Sequence, residues 1–569
     1  MPRRVGAFGV SAVLAVGLLA AASVPTWNGA GPDRIRAELA EFGILTQSNM
    51  EGTAARAVKN LDDEGLASVG PLLAGLGDVW ALDLSQTRVA SLEPLKRLTT
   101  LQILDLSGTE VVNLEALDGL SALQKLNVSA TRVAGLEPLG RLTALQSLDL
   151  SGTEVASLEA LEGLTALQSL DLSGTQVVKL EALSGLTALE TLNLSLTRVS
   201  NLEPLRGLIA LRSLDLSRTP VAGLGPLEGL AALQSLDLAS TQVVDLAALQ
   251  GLAALKSLDL SATPVAGLDS LQGLAALQSL DLSLTHVASL EPLRSLPELQ
   301  SLDLSGAVLA SFEGLKELRV LHKLDLSGTG IVSLASLQRL TALQSLDLSG
   351  TRVTDLEPLR GLPALQSLNL ALTQVASVAA LEGLAALQSL DLSGTRVASL
   401  EPLRNLAALQ SLDLSATPVV GFEPLKGLTA LRSLDLSGTE IASLEPLRGL
   451  TALRSLDLAQ TQVASLEPLQ GMVALETLNL SDTRVADLAP LSGLVALEAL
   501  NLSDLQIASL EPLKGLAALR TLDLSGTQIP GLESVYDLPY LHLRNTENVS
   551  ADGLDRFIRY RKEKQLPYQ

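Results

Sequence analysis

The sequence predicts an α/β solenoid: a right-handed, curved stack of coils, with a parallel β-sheet on the concave side and short 3₁₀ or helical turns on the convex side. Three observations carry this. Residues 79–540 form twenty-one tandem units of 22 residues without insertion or deletion. A fixed period of that length marks an array in which each unit buries its apolar side only against its neighbours. Within a unit, as in the seven residues Leu145-Gln-Ser-Leu-Asp-Leu-Ser151, leucine alternates with polar residues, the period of a strand with one wet face. The second half, as in Val155–Leu164, places apolar residues every three positions, the spacing of a turn in which i and i+3 eclipse. Proline at the sixteenth position of 12 of the 21 units limits any longer helix. Neighbouring strands about 4.8 Å apart make the sheet roughly 100 Å long.

The flanks divide into three further segments. Residues 1–24 read as a signal peptide: Arg3 and Arg4 precede an uncharged stretch from Val5 to Val24 that ends in small residues. An uncleaved N-terminal membrane anchor is the alternative, since about 20 apolar residues can span a bilayer. Residues 25–78 read as a linker and a helical N-terminal cap. Helices are expected at Pro32–Phe42 and Ala54–Leu61, and Gly70–Leu76 already falls partly into the repeat register. Residues 541–569 read as a C-terminal cap, with a last strand at Leu541–Leu543 and a basic helix at Gly553–Lys564. Leu554, Phe557, Ile558 and Arg561 lie along one side of that helix.

Composition excludes several function classes. Apolar residues are 47% of the chain and aromatics 2%, so leucine and valine fill the core. A formal charge of −22 argues against nucleic acid and anionic membrane, and favours solubility and basic partners. The absence of cysteine excludes disulfides, thiolate metal sites and a cysteine nucleophile. Among the three histidines, His286 and His322 lie two coils apart and eight positions out of phase, about 20 Å, too far to share a metal. No phosphate-cradling loop or nucleophile–base pair occurs, so no catalytic residue, metal site or cofactor is expected.

The unit reads L-x-x-L-x-L-x-x-T-x-V-x-x-L-x-x-L-x-x-L, as in Leu101, Leu104, Leu106, Thr109, Val111, Leu114, Leu117 and Leu120. It resembles the 22-residue class of leucine-rich repeats, found in bacterial internalins and in a regulatory subunit of protein phosphatase 1. The match covers about four-fifths of the chain. It departs at the ninth position, where the family commonly has Asn and this chain has Thr, whose hydroxyl replaces only part of an amide's hydrogen bonding. The resemblance implies binding of other proteins through the concave sheet, without naming a ligand. Long extracellular solenoids of animals commonly close their ends with disulfides. A cysteine-free version with a signal segment is therefore expected to be bacterial, and secreted, periplasmic or on the cell surface, with membrane contact only through an uncleaved N-terminus.

The candidate site is the outward fifth position of each strand, Asp in 16 units and Asn in five. Its longest unbroken run is Asp215, Asp237, Asp259, Asp281, Asp303, Asp325 and Asp347. Carboxylates about 4.8 Å apart repel by roughly 1 kcal/mol in water and several-fold more at lower dielectric. The row is therefore expected to serve as a track for basic partners or calcium, or else to be relieved by bonds to nearby backbone and serine. The tenth position contributes His286, Arg352 and Arg396, and the second His322, Arg212, Lys256 and Arg454. These charges either align a ligand or neutralise the Asp row. Trp80 is the one aromatic residue of the repeats expected on the concave face. The unit Leu299–Val320 is unusual, with Ala307, Leu309, Phe312 and Gly314 replacing the common residues. The resulting expectation is an exported, monomeric, non-catalytic binder of a protein or other macromolecule. The alternative is a spacer or envelope scaffold whose caps make the contacts.

Overall fold

Leucine burial organises every coil. In the coil beginning at Leu277, the side chains of Leu277, Leu280, Leu282, Val287, Leu290, Leu293 and Leu296 are each at most 2% exposed. Stacked coil on coil, these residues form one continuous core cluster. The computed structural model describes residues 32–49, 52–57, 61–527, 529, 531–538, 541–544, 551–564 and 566. Among them run 24 strands in one sheet. From the third strand onward each is parallel to its sequence neighbour, as where Ser279–Asp281 pairs in register with Ser257–Asp259 and Ser301–Asp303. Most strands are three residues long, with a buried leucine between two half-buried polar residues. On the opposite side each repeat makes a short 3₁₀ turn, such as Glu291–Ser295. Narrow strands on one side and bulkier turns on the other bend the stack into a curved solenoid.

Two local devices close each coil. The eighth residue, where the chain leaves the strand, has a left-handed backbone in all 21 coils: 9 are glycine and 12 are not. Glycine takes that conformation freely; other residues do so at a cost. The ninth-position threonine is buried and its Oγ1 donates to the carbonyl three residues earlier, as from Thr109 to Leu106 (2.6 Å) and Thr351 to Leu348 (2.6 Å). Threonine thus satisfies a carbonyl of its own coil. Thr527 instead reaches one coil back, to Leu502 O at 2.7 Å.

The N-terminal end differs from the expectation. It comprises α1 (Pro32–Glu41), β1 (Ile44–Asn49), β2 (Gly52–Ala57) and α2 (Asp63–Leu76), followed by the first repeat strand β3 (Val79–Asp83). Ala54–Leu61, expected to be helical, begins as strand β2, antiparallel to β1 and parallel to β3. Pairing with an existing sheet edge overrides the weak local preference of an alanine-rich segment. The second helix comes later and includes Gly70–Leu76, taking the place of a 3₁₀ turn against Glu93–Leu95. Asp62 caps α2 by accepting from Gly65 N at 2.9 Å. Asp63 Oδ1 ties the helix to the first repeat, accepting Ala90 N at 2.7 Å and Ser91 N at 2.8 Å.

At the other end, β4 to β23 complete the repeats, and β24 (His542–Arg544) is followed by α3 (Ala551–Glu563). Phe557 and Arg561 of α3 are buried. Arg561 Nη1 donates to the carbonyls of Tyr536 (3.3 Å) and Leu538 (2.5 Å), and its guanidinium stacks 5.2 Å from the Phe557 ring centre. The expected signal segment 1–24 and the linker at 28–31 lie outside the described residues. Among the described residues no helix is long and apolar enough to cross a membrane.

Candidate functional site on the open sheet face

The strand period of two sends the fifth residue of each coil to solvent, and in-register pairing stacks like on like. Asp215, Asp237 and Asp259 lie on consecutive strands, as do Asp281, Asp303 and Asp325, and Asp347 follows. The run spans seven strands, about 29 Å at the usual spacing. Each carboxylate is half-buried. One oxygen of each serves its own strand end. Oδ1 of Asp237 accepts Ala239 N at 2.8 Å, and Oδ1 of Asp281 accepts Ser283 N at 2.8 Å. Such a bond, two residues along, pins the turn that follows the strand. The second oxygens of Asp237 and Asp281 accept nothing among the described residues.

Burial and crowding raise the proton affinity of this row. Desolvation pushes Asp237 up to about 7, and Asp215 and Asp259 push the same way, against the bond from Ala239. Desolvation likewise lifts Asp281 to about 6, with Asp259 and Asp303 adding to it and Ser283 opposing. Asp325, Asp105 and Asp149 are also raised, with burial the first cause. Where Asn interrupts the row it relieves this repulsion. The Nδ2 of Asn193, Asn369 and Asn479 donates to Oδ2 of Asp171 (3.1 Å), Asp347 (2.9 Å) and Asp457 (2.9 Å).

Arginine stands at both ends of the row. Arg56 of β2 is the register partner of Asp83 and pairs with it at 3.1 Å. Arg544 of β24 is the register partner of Asp523. Neither was legible beforehand, because Arg56 sat in a segment expected to be helical and Arg544 lies beyond the last repeat.

The other candidates fall elsewhere. His322 occupies the second position, just before the strand Lys323–Asp325. His286, Arg352 and Arg396 are exposed and lie five residues past their strands, beyond the left-handed turn, on the flank of the solenoid. The second-position arginines do not neutralise the Asp row; they pair along their own row, Arg212 with Glu190 (3.2 Å), Arg454 with Glu476, and Arg520 with Glu498 (3.8 Å). Trp80 is half-buried and packs at the cap hairpin, where a Cβ added to Gly52 would lie 3.2 Å from its Cδ1. Its Nε1 is buried with no acceptor among the described residues. Phe422 is buried, and Phe312 packs half-buried against the core. On the convex side nine Glu–Lys or Glu–Arg pairs join residues three apart, such as Glu357–Arg360 at 2.7 Å. Exposed pairs of this kind contribute little to stability.

Comparison with known proteins places this geometry. Residues 79–175 and 310–417 match the family model of the leucine-rich-repeat domain of the endo-β-N-acetylglucosaminidase EndoS. Residues 165–207, 429–471 and 473–515 match a model of two leucine-rich repeats. No curated protein matches the sequence. Among solved structures, an internalin (inlF) of Listeria monocytogenes is 27% identical, with a TM-score of 0.47, covering 56% of this chain and 88% of its own. A leucine-rich-repeat protein of Leptospira interrogans is 23% identical, with a TM-score of 0.55, covering 66% of this chain and 94% of its own. The plant peptide hormone receptor RGFR1, solved in complex with RGF2, is 21% identical, with a TM-score of 0.52, covering 87% and 88%. The fold is typical of protein-binding domains. With its 22-residue coils, parallel sheet and 3₁₀ turns, the chain belongs to the leucine-rich-repeat proteins, and its units resemble the internalin type.

Proposed function

We propose that the chain is an exported, non-catalytic binding protein whose acidic sheet face takes a basic stretch of a protein partner. The observation that carries this reading is the run Asp215–Asp347, seven carboxylates on consecutive strands with no Asn between them. A partner that brings Lys or Arg to this row removes repulsion already present, so charge attraction and relief of crowding act together. Repetition adds a second effect. Weak contacts repeated along one rigid sheet raise avidity when the partner's charges recur at a compatible spacing. Export rests on the sequence of residues 1–24, and N-terminal sequencing of the mature chain tests it: a start near residue 25 supports cleavage, and an intact Met1 opposes it.

The binding reading is tested by immobilising the chain and eluting captured proteins with rising salt. Basic proteins released progressively between about 0.1 and 0.5 M salt support the acidic face, because exposed charge contacts are screened over that range. Retention insensitive to salt would move the contacts to the caps and favour a spacer role.

A further inference from the structure

The flank that follows the strands carries a regular apolar row inside an acid-free window. Along it the eighth, tenth and twelfth residues of a coil turn outward while the ninth and eleventh are buried, as from Leu284 to Ala288. From Leu189 to Ala430 there are eleven coils, so three positions in each make 33, and none holds Asp or Glu in a chain with 62 of them. Beyond this window the same positions hold Glu110, Glu154, Glu440, Asp482 and Asp504. Inside it, an exposed apolar side chain recurs every second coil: Leu196, Val244, Leu284, Val332, Leu372 and Val420, between 51% and 75% exposed. The leucines all hold the eighth position and the valines the twelfth. The middle coil, Leu299–Val320, adds Val308 at the tenth position, 60% exposed.

The leucines are costly twice over. Leu196, Leu284 and Leu372 have φ of 59°, 58° and 58°, where nine other coils place glycine. A bulky side chain strains that backbone, and exposure leaves its apolar surface in water. Both costs are offset only if something outside the coil covers the side chain.

We propose that this flank joins two copies of the chain, antiparallel, about a two-fold axis that crosses the stack at the coil Leu299–Val320. Reversing the coil order about that axis sets every projecting residue against a small one. Leu196 meets Ala416, Leu284 meets Gly328, and Leu372 meets Ser240. Val244 meets Ala376, Val332 meets Ala288, and Val420 meets Ser200. Charged residues likewise meet uncharged ones: Arg198 faces Pro418 and Arg218 faces Gly394. Arg352 faces Pro264, Arg396 faces Pro220, and His286 faces Gly330. Val308 meets its own copy on the axis. Moving the axis one coil, to that of Leu284, would instead oppose Leu196 to Leu372. A surface complementary to itself is what an isologous interface requires.

The area also suffices. Eleven coils at about 4.8 Å, and four residues of extended chain at about 3.3 Å each, cover roughly 700 Å² per copy. The pair would bury roughly 1,400 Å², within the range of about 1,200–2,000 Å² for stable interfaces. The sheet face with its Asp row stays open, so this contact is independent of the partner site.

Because the chain has no cysteine, single thiols test the register without background. The purified chain is expected to sediment as a dimer at about 10 µM. Val308→Cys should form a covalent dimer on mild oxidation. Val178→Cys, on the same flank outside the window, should not. The triple variant Leu196→Gly, Leu284→Gly, Leu372→Gly suits the left-handed backbone, so it keeps the fold, and it should weaken the dimer at least 100-fold. A chain still monomeric at about 50 µM overturns the proposal. So does a dimer that neither cross-links through position 308 nor responds to the triple variant. A monomer would leave the role of the Asp row standing.

Discussion

The Oδ1 of Asp281 accepts the backbone N–H of Ser283 at 2.8 Å, so the charge offered to a partner also holds the turn that ends its own strand. The two roles separate by substitution. Asn keeps the acceptor oxygen and loses the charge, whereas Ala loses both. Asp281→Ala should cost about 1–2 kcal/mol, the loss of a hydrogen bond that leaves a half-buried N–H without its partner. Asp281→Asn should cost less than about 0.5 kcal/mol at neutral pH, since its Nδ2 can turn to a neighbouring carboxylate as Asn369 does to Asp347. Denaturant titration of the two variants distinguishes these outcomes.

The raised carboxyls set the pH dependence. Asp237, at about 7, and Asp281, at about 6, bind protons more tightly in the folded chain than at the usual Asp value of 3.8. Between about pH 4 and 7 the folded state therefore holds more protons, and stability falls as pH rises through that window. Thermal unfolding should be higher at pH 5 than at pH 8. Asp237→Asn should flatten the curve, raising stability at pH 8 by about 1–3 kcal/mol and changing little at pH 4.

The buried threonines supply a separate increment. Thr351 Oγ1 donates to Leu348 O at 2.6 Å in a fully packed site. Thr351→Val preserves shape and removes that donor, at an expected cost of about 1–2 kcal/mol. Faster amide exchange confined to the coils around Leu348 is the accompanying signature. Uniform acceleration along the whole sheet would contradict it.

At the C-terminal end Arg561 closes the last coil through the carbonyls of Tyr536 and Leu538. Arg561→Met retains the apolar stem and removes the donors. The expected loss is about 2–3 kcal/mol, localised to the end of the stack. Exchange at Leu522 and Leu524 should quicken while Leu280 and Leu282 keep their protection, because solenoid coils communicate mainly with their neighbours.

Much of this arrangement was readable from residues alone, for reasons that are themselves physical. Leucines at the first, fourth and sixth positions report a strand because burial and strand period coincide there. Asp281 could be placed on the wet face for the same reason. The N-terminal cap was misread at Ala54–Leu61, since small alanines carry no strong local preference and only pairing with β3 makes the segment a strand. Arg56 was missed with it. His286, Arg352 and Arg396 were grouped with the sheet face, but a left-handed turn at the eighth position swings them onto the flank. A bulky leucine where other coils have glycine, at Leu196, Leu284 and Leu372, was visible in the sequence. Its meaning needed the backbone angle and the exposure together.

The central claim is that the carboxylates of Asp215–Asp347 themselves attract the partner, and graded neutralisation measures this directly. Calorimetric affinity for a captured partner would be compared across chains with two, four and all seven of these residues changed to Asn, each at low and high salt. Stepwise weakening is expected, reaching at least about 100-fold for the full set at low salt, with the salt dependence disappearing alongside it. Equal affinity and equal salt dependence in the wild type and the sevenfold variant would contradict it.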